Sequence, residues 1–345
     1  EGIITFEDAE LMRAARISEL LGLPANSPSS VHNLTNKAAQ RAAFQAAGLP
    51  TPRYWQMPAD DDEAARAVLA ETISFPAVLK PLSGTGSRNV FAIADVAQLQ
   101  SALKPWPETH GGIPADMIVE ERLGDGWPRT ERPYADYVTV ESLASGGRIS
   151  HVAVTGRMPM AEPFRQTGSF IPSNLPPEVI SSVIDIAGQS IRALGVTVGA
   201  FHTEIKLTPE GPRVVEVNGR VGGGGVPDIL SLIANCSVLK FAARAALGHN
   251  IYLHGLVPCT GIGYYYRFQA PLNANRLVRL DGLAEIRRLP GIHELFVNRN
   301  PGDRLDDWRA GSAGFLFSVL GIAADHVAMW ATMRRLQDLV GLIVD

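Results

Sequence analysis

The chain has 345 residues, a formal net charge of −4, 46% hydrophobic and 19% charged residues, and scattered Gly and Pro (33 and 24). That length accommodates two or three compact units, and no apolar run approaches the roughly 20 residues a membrane span needs. Without a basic stripe or an RNA-type aromatic motif, neither nucleic acid nor membrane is an expected partner.

Gly2-Ile3-Ile4-Thr5 reads as a strand and Glu7 to Leu21 as a helix, together the end of an upstream unit. Gly22-Leu23-Pro24 through Ser27-Pro28-Ser29-Ser30 reads as a break. Thr35-Asn36-Lys37 then opens an Ala-rich helix, Ala38 to Ala47, which Gly48 stops with Pro50 and Pro52 behind it. A second helix is expected from about Asp62 to Glu71. Strands are expected at Phe75 to Lys80 and Val90 to Ile93, with Ser83-Gly84-Thr85-Gly86-Ser87 between them. Met117 to Glu121 and Tyr137 to Glu141 read as strands of a mostly antiparallel sheet. A long helix follows Pro176-Pro177 and ends at Gly195. A strand pair spans 199–218, and one helix is expected from Pro227 to Leu247, closed by Gly248. Short strands follow, with a turn at Pro290-Gly291 and a last helix around 325–340. The two cysteines, Cys236 and Cys259, are in no CxxC spacing and read as small buried hydrophobes. They exclude a zinc or disulfide framework and point to a reducing, cytoplasmic setting.

The strand pair carries the chemistry. Side chains alternate along a strand, so His202, Glu204 and Lys206 share one face, and Glu216, Asn218 and Arg220 share one face of the next run, with Val215 and Val217 behind them. A turn centred near Glu210 sets Glu204 opposite Glu216 and His202 opposite Asn218. Two carboxylates about 5 Å apart repel by roughly 3 kcal/mol at an effective dielectric of 20. A hard divalent cation removes that repulsion, and carboxylate plus amide oxygens suit Mg²⁺ or Mn²⁺. The alternative is an exposed sheet face whose charges stand in water. Gly222 to Gly225 let a backbone come close to a ligand, and they lead into Pro227, which opens a helix whose free N–H groups attract anions. Arg220 would neutralise charge on a phosphoryl group in transfer. The loop after Lys80 can cradle phosphates with that lysine on their oxygens. It is neither a Walker A nor a Rossmann motif, and no HExxH or GxSxG is present.

Taken in order, these residues resemble the ATP-grasp superfamily over about 36–250. The matching runs are Asn36-Lys37, Val78-Leu79-Lys80-Pro81 before a Gly/Ser loop, Ile118-Val119-Glu120-Glu121, Asp136-Tyr137-Val138, His202-Thr203-Glu204 and Glu216-Val217-Asn218-Gly219-Arg220. The resemblance implies an α+β fold in which two subdomains, 36–115 and 116–250, clasp ATP. Residues 1–35 would be the remnant of a pre-ATP-grasp domain, and 251–345 a small C-terminal α/β domain. It further implies that Lys37 and Lys80 touch ATP phosphates, with Ser83, Gly84, Thr85, Gly86 and Ser87 closing over them. Glu120, Glu121 and Leu123 would hold adenine, and Asp136 the ribose, after a long stretch from Gly124 to Pro133. Glu204, Glu216 and Asn218 would hold two Mg²⁺, with Mn²⁺ as a substitute. Lys80, Asn218 and Arg220 would carry catalysis, Arg220 steadying the transferred phosphate and the acyl-phosphate.

The stretch Ala161 to Ser173 is similar to a loop in L-amino-acid (dipeptide) ligases, as is the tail with Leu289-Pro290-Gly291 and Pro301-Gly302-Asp303. Relatives commonly have Glu and His where this chain has Gln166 and Ser169, which leaves the base for the amine open. Arg157 and Arg165 are candidates for a substrate carboxylate, and Gln166, Ser169, Arg220, Gly222, Gly223 and Gly224 for the rest of the substrate site. Gly224 leaves room for a larger partner. The implied activity is an ADP-forming carboxylate–amine ligase that makes an amide bond through an acyl-phosphate, as in antibiotic or other specialised biosynthesis, with small-molecule acid and amine substrates and a homodimer as the family's common state. The alternatives are amino-acid loading on a carrier-protein thiol, a carbamoyl-phosphate or carboxylase-type enzyme, and a nucleotide-binding protein without turnover.

Overall fold

The computed structural model describes residues 1–57, 69–103, 116–124, 134–305 and 308–345. Two antiparallel sheets organise the chain. The smaller has the order β1-β4-β2-β3 and contains β1 (Tyr54–Gln56), β2 (Ala77–Pro81), β3 (Phe91–Ile93) and β4 (Met117–Glu121). The larger has eight strands in the order β12-β13-β10-β7-β6-β5-β8-β9. These are β5 (Tyr137–Ser145), β6 (Arg148–Arg157), β7 (Gly168–Ile171), β8 (Gly199–Thr208), β9 (Gly211–Asn218), β10 (Ile262–Gln269), β12 (Ile292–Val297) and β13 (Phe315–Ala323). A separate pair joins β11 (Leu277–Asp281) to β14 (Gly341–Val344). Residues 251–345 therefore extend the central sheet through three strands as well as forming a pair of their own. Strands β6 and β7 were not expected from the sequence. Ser169, expected in a loop, lies in β7, paired with Arg157 on one side and Tyr265 on the other.

The helices follow their caps. The helix α1 (Leu11–Leu21) ends at Gly22, whose left-handed φ of 64° suits glycine. The segment read as a break contains α2 (Pro28–Thr35), with the Ser27 hydroxyl accepting from Ser30 N–H and Pro28 in the first turn. Asn36 caps α3 (Lys37–Ala46), and Asp95 caps α4 (Val96–Ala102). Then come α5 (Pro177–Ala193), α6 (Val226–Ala234), α7 (Val238–Ala246), α8 (Leu283–Arg287) and α9 (His326–Leu339). The single helix expected over 227–247 is two helices bent by 109°. Asn235 takes the left-handed conformation at φ 46°, and Ser237 then caps a new start. Gly2 to Thr5 forms no strand; the segment lies against α7 with no adjoining β partner among the described residues. Most of the helix expected at 62–71 and of the stretch 124–133 lies outside the described residues. No single helix among the described residues is long and apolar enough to cross a membrane.

One face of the eight-stranded sheet is apolar and packs on α5. Val138 and Val140 of β5, Phe201, Ile205 and Leu207 of β8, and Val214 and Val217 of β9 form its core. The opposite face carries Thr139 and Glu141 of β5, Arg157 of β6, and His202, Glu204 and Lys206 of β8. Period-two alternation makes this division: burying the valines fixes the register, and the register gathers the polar groups.

Candidate active site

Glu204 pairs with Glu216 and His202 with Asn218. The hairpin turn alone does not produce that register. Near the turn Thr208 pairs with Gly211 and Ile205 with Val214, so alternation without interruption would set Glu204 against Val215. A β-bulge at Val215 inserts one residue and brings Glu216 across from Glu204. The sequence expectation of Val215 behind the acids is thereby corrected: Val214 enters the core, and Val215 lines a cavity on the acidic side.

Helix α3 holds the bulge in place. Its inward positions Lys37, Gln40, Arg41 and Phe44 follow i, i+3, i+4, i+7 spacing. Gln40 donates to the Val217 carbonyl at 2.9 Å and accepts from Val217 N–H at 3.0 Å, acting as a partner for the edge strand β9. Arg41, fully buried, donates to the carbonyl of the bulged Val215. Lys37 Nζ lies 3.0 Å from Glu216 Oε1.

A cavity of about 280 Å³ opens between the two sheets. Lys80, at the end of β2, lies 2.7 Å from Glu120 Oε2, and Arg41 Nη2 lies 2.8 Å from Glu120 Oε1, with all three side chains buried. Burial pushes the Lys80 ammonium below its ordinary value; Arg41 and Lys37 push the same way and Glu120 opposes. Burial would raise the Glu120 carboxyl, but Arg41 and Lys80 outweigh it and hold it low. Burial likewise acts to raise Glu216, and Lys37 and Lys80 bring it below the usual carboxylate range. Lys37 thus offsets one charge of the acidic pair. Glu204 has only His202 Nε2, at 3.8 Å, and no lysine or arginine within ion-pairing distance among the described residues.

The phosphate-loop candidates lie at the cavity wall, Gly84, Thr85, Gly86 and Ser87 lining it, while the Ser83 hydroxyl turns away to donate to the Thr35 carbonyl. Lys37 Nζ donates to the Gly84 carbonyl at 3.2 Å. Glu121, Leu123 and Asp136 also line the cavity. Asp136 is ion-paired with Lys206, and Glu121 with Arg53. Asn218 and Arg220 complete the acidic side. The Asn218 amide donates to the His202 carbonyl at 3.4 Å, which leaves its oxygen as an acceptor.

Arg220 has a partner the sequence did not reveal. Its Nε donates to Asp8 Oδ2 at 2.6 Å, and although burial disfavours its charge, Asp8 raises its pKa above the ordinary arginine value. For the ATP-dependent turnover that the sequence resemblance implies, Asp8→Ala is expected to lower kcat/KM by on the order of 10- to 100-fold through misorientation of Arg220. Steady-state ADP release would measure this, and an unchanged kcat/KM would contradict the assignment.

Of the substrate candidates, Gln166 lines the cavity. Arg157 lies behind it, 2% exposed, donating from Nη1 to Gln166 Oε1 at 3.4 Å. Arg157 Nη2 is 3.1 Å from His202 Nε2, and His202 Nδ1 donates to Glu141 at 2.9 Å. Among the described residues Arg157 Nε has no hydrogen-bond partner. Arg165 points elsewhere: it donates to the carbonyls of Glu162 and Ala270, at 2.6 and 2.7 Å, and fastens its own loop. Ser169 donates to the Gly224 carbonyl at 2.6 Å. The glycine run serves the protein's own packing more than a ligand. A Cβ on Gly222 would lie 2.6 Å from Glu141 Oε2 and 2.7 Å from His202 Nδ1, and one on Gly225 would strike the Tyr265 ring. Gly223 alone has open space, and Gly224, 3.3 Å from Ser169 Oγ, is half enclosed. The helix opened by this run, α6, does not contribute to the cavity wall.

No protein-family model matches the chain. It is 27% identical over 305 residues to an uncharacterized protein of Sinorhizobium fredii, covering 87% of this chain and 59% of that protein. It is 28% identical over 243 residues to alanine–anticapsin ligase of Bacillus subtilis, covering 66% of this chain and 50% of the ligase. The chain therefore spans between half and three fifths of these relatives. In structure it matches an L-amino acid ligase from Bacillus licheniformis with a TM-score of 0.80 at 22% identity, over 100% of this chain and 80% of the other.

The chain has the ATP-grasp fold.

Within that fold the small sheet is the wall that carries Lys80 and the glycine loop, and the large sheet is the floor that carries the paired acids. The residues the sequence missed have one thing in common. Asp8, Gln40, Arg41 and Glu141 act from elements distant along the chain, and only the periodic spacing of Gln40 and Arg41 with Phe44 signalled an inward face.

Proposed function

We propose that this ATP-grasp chain is an ADP-forming carboxylate–amine ligase, activating an acid as its acyl-phosphate and releasing phosphate when an amine attacks. The observation that carries this reading is the opposed pair Glu204 and Glu216 in one cavity with Lys37, Lys80 and Arg220. Among the described residues no group of three or more His, Cys, Asp and Glu is placed to hold a metal ion, so the donor set would be two carboxylates and an amide oxygen. Such a set suits a hard cation that completes its shell with phosphate oxygens. Glu204, Glu216 and Asn218 would hold two Mg²⁺, with Mn²⁺ as a substitute; bound there, the ions neutralise charge on the phosphates. Structures of this fold carrying ADP or ATP support the nucleotide assignment.

The protein's own residues then divide the work. Lys37 and Lys80 bind phosphate oxygens, and the loop 83–87 covers them. Glu121 and Leu123 border the base, with Asp136 at the ribose. Arg220, oriented by Asp8, meets the charge that develops as the carboxylate attacks the terminal phosphorus and ADP leaves. Gln166 borders the substrate side, with Arg157 held behind it. Gln166 and Ser169 stand where the resemblance to L-amino-acid ligases leads one to expect Glu and His, and neither is a base at neutral pH. The incoming amine therefore needs to arrive deprotonated or to lose its proton to another group. A role in antibiotic or other specialised biosynthesis fits the likeness to alanine–anticapsin ligase.

Incubation with ATP, Mg²⁺ and pooled amino acids, read by ADP release and product mass, tests the reading. Acid- and amine-dependent ADP release with a condensed product of matching mass is the expected result. Nucleotide binding with no release for any acid and amine pair would leave a non-catalytic binder.

A further inference from the structure

Two loops that border the cavity meet at Ser312, a residue 3% exposed in the 3₁₀ stretch Trp308–Ala313. Its backbone N–H donates to the carbonyl of Gly86 in the glycine loop at 2.8 Å. Its hydroxyl accepts from Gln166 N–H, in the substrate-side loop, at 3.0 Å. Gln269 closes the bridge, its Nε2 donating to the Gln166 carbonyl at 2.7 Å and to the Ser312 carbonyl at 3.4 Å. Beside these, Asn89 N–H donates to the Arg309 carbonyl at 3.1 Å.

The contact between the glycine loop and the 3₁₀ stretch leaves no slack. Gly311 has φ 68° and ψ −139°, a conformation closed to other residues, and a Cβ there would lie 2.1 Å from the Gly86 carbonyl oxygen. The other end of the loop is fastened independently, by Ser83 to Thr35 and by Gly84 to Lys37. Gly86 and Gln166 both line the cavity, on its nucleotide and substrate sides. A single residue, through its backbone N–H on one side and its hydroxyl on the other, therefore links two loops that lie 80 residues apart in sequence and belong to opposite halves of the proposed reaction.

We infer that Ser312 is a positioning residue that couples closure of the glycine loop over nucleotide to ordering of the segment 161–169, which runs from the substrate-side loop into β7, so that the substrate side takes its shape only once nucleotide is held. This rests on the nucleotide reading of the cavity. Because coupling is reciprocal, a group held at Gln166 would favour loop closure by the same factor. Loss of the one hydrogen bond that distinguishes the coupled state should weaken coupling roughly 5- to 10-fold.

Hydrogen–deuterium exchange on the full chain, with and without a non-hydrolysable ATP analogue and Mg²⁺, tests this. In the unmodified protein the analogue should slow exchange at both 83–88 and 161–169. In Ser312→Ala the slowing at 83–88 should persist and that at 161–169 should fall several-fold, with an unchanged melting temperature. Gln269→Ala, which breaks the other half of the bridge, should behave alike. Protection confined to 83–88 in the unmodified protein would overturn the coupling and leave nucleotide binding standing. Equal protection of 161–169 in Ser312→Ala would overturn the role of Ser312. No protection at either loop would remove the nucleotide reading and the coupling together.

Discussion

Glu216→Gln is expected to lower ATP-dependent ADP release by on the order of 10³-fold while leaving the fold in place. The substitution keeps shape and removes charge. Glu216 is reached from the cavity, its side chain 18% exposed, so little packing depends on it. What it supplies is half of the negative charge opposite Glu204, at a register enforced by the Val215 bulge. With glutamine there, one carboxylate and two amides remain, a poor site for a dehydration-resistant cation. Lys37 also loses its counter-charge beside Lys80, which misdirects both ammonium groups that would meet phosphate. A coupled ADP assay together with a melting curve measures the split, and near-normal turnover would remove the metal assignment.

Glu120→Gln should show the opposite pattern, with stability falling first. Its carboxylate stands between Arg41 and Lys80, side chains 0% and 9% exposed, and it is the anion that both have at ion-pairing distance. Removing one partner of a buried ion pair costs about 3–5 kcal/mol, because the charges left behind remain desolvated. Here two cations are stranded, and among the described residues Arg41 Nε and Nη1 already lack hydrogen-bond partners. The melting temperature should fall by roughly 4–7 °C. Adding Arg41→Met removes one of the stranded charges and should recover part of the loss. An unchanged melting temperature in Glu120→Gln would mean that the buried pair contributes nothing net.

These two residues also mark how far the sequence could be read. The alternation of β8 and β9, a local pattern with period two, placed Glu204 against Glu216. The register was reached by way of a turn centred on Glu210, yet it is the bulge at Val215 that sets it, and the bulge depends on Arg41 holding a carbonyl from 174 residues away. No local pattern carries that information. Helix α3, capped by Asn36, and helix α5, opened by Pro176-Pro177, were legible because such start signals are local. The break at Asn235 was not, because a short αL cap inside an apolar run looks like continued helix. The strand β7 was hidden for a related reason: four residues bounded by loops carry too little periodicity to announce a place in the middle of a sheet. Arg165 looked like a ligand group because its charge is visible and its two carbonyl partners, one of them 105 residues away, are not.

The most direct measurement is anomalous scattering from crystals grown with Mn²⁺ and a non-hydrolysable ATP analogue. A manganese peak is expected within about 2.5 Å of an oxygen of both Glu204 and Glu216, with the terminal phosphate beside Lys37 and Lys80. Manganese bound away from that pair, or nucleotide phosphates lying outside the reach of both lysines, would contradict that expectation.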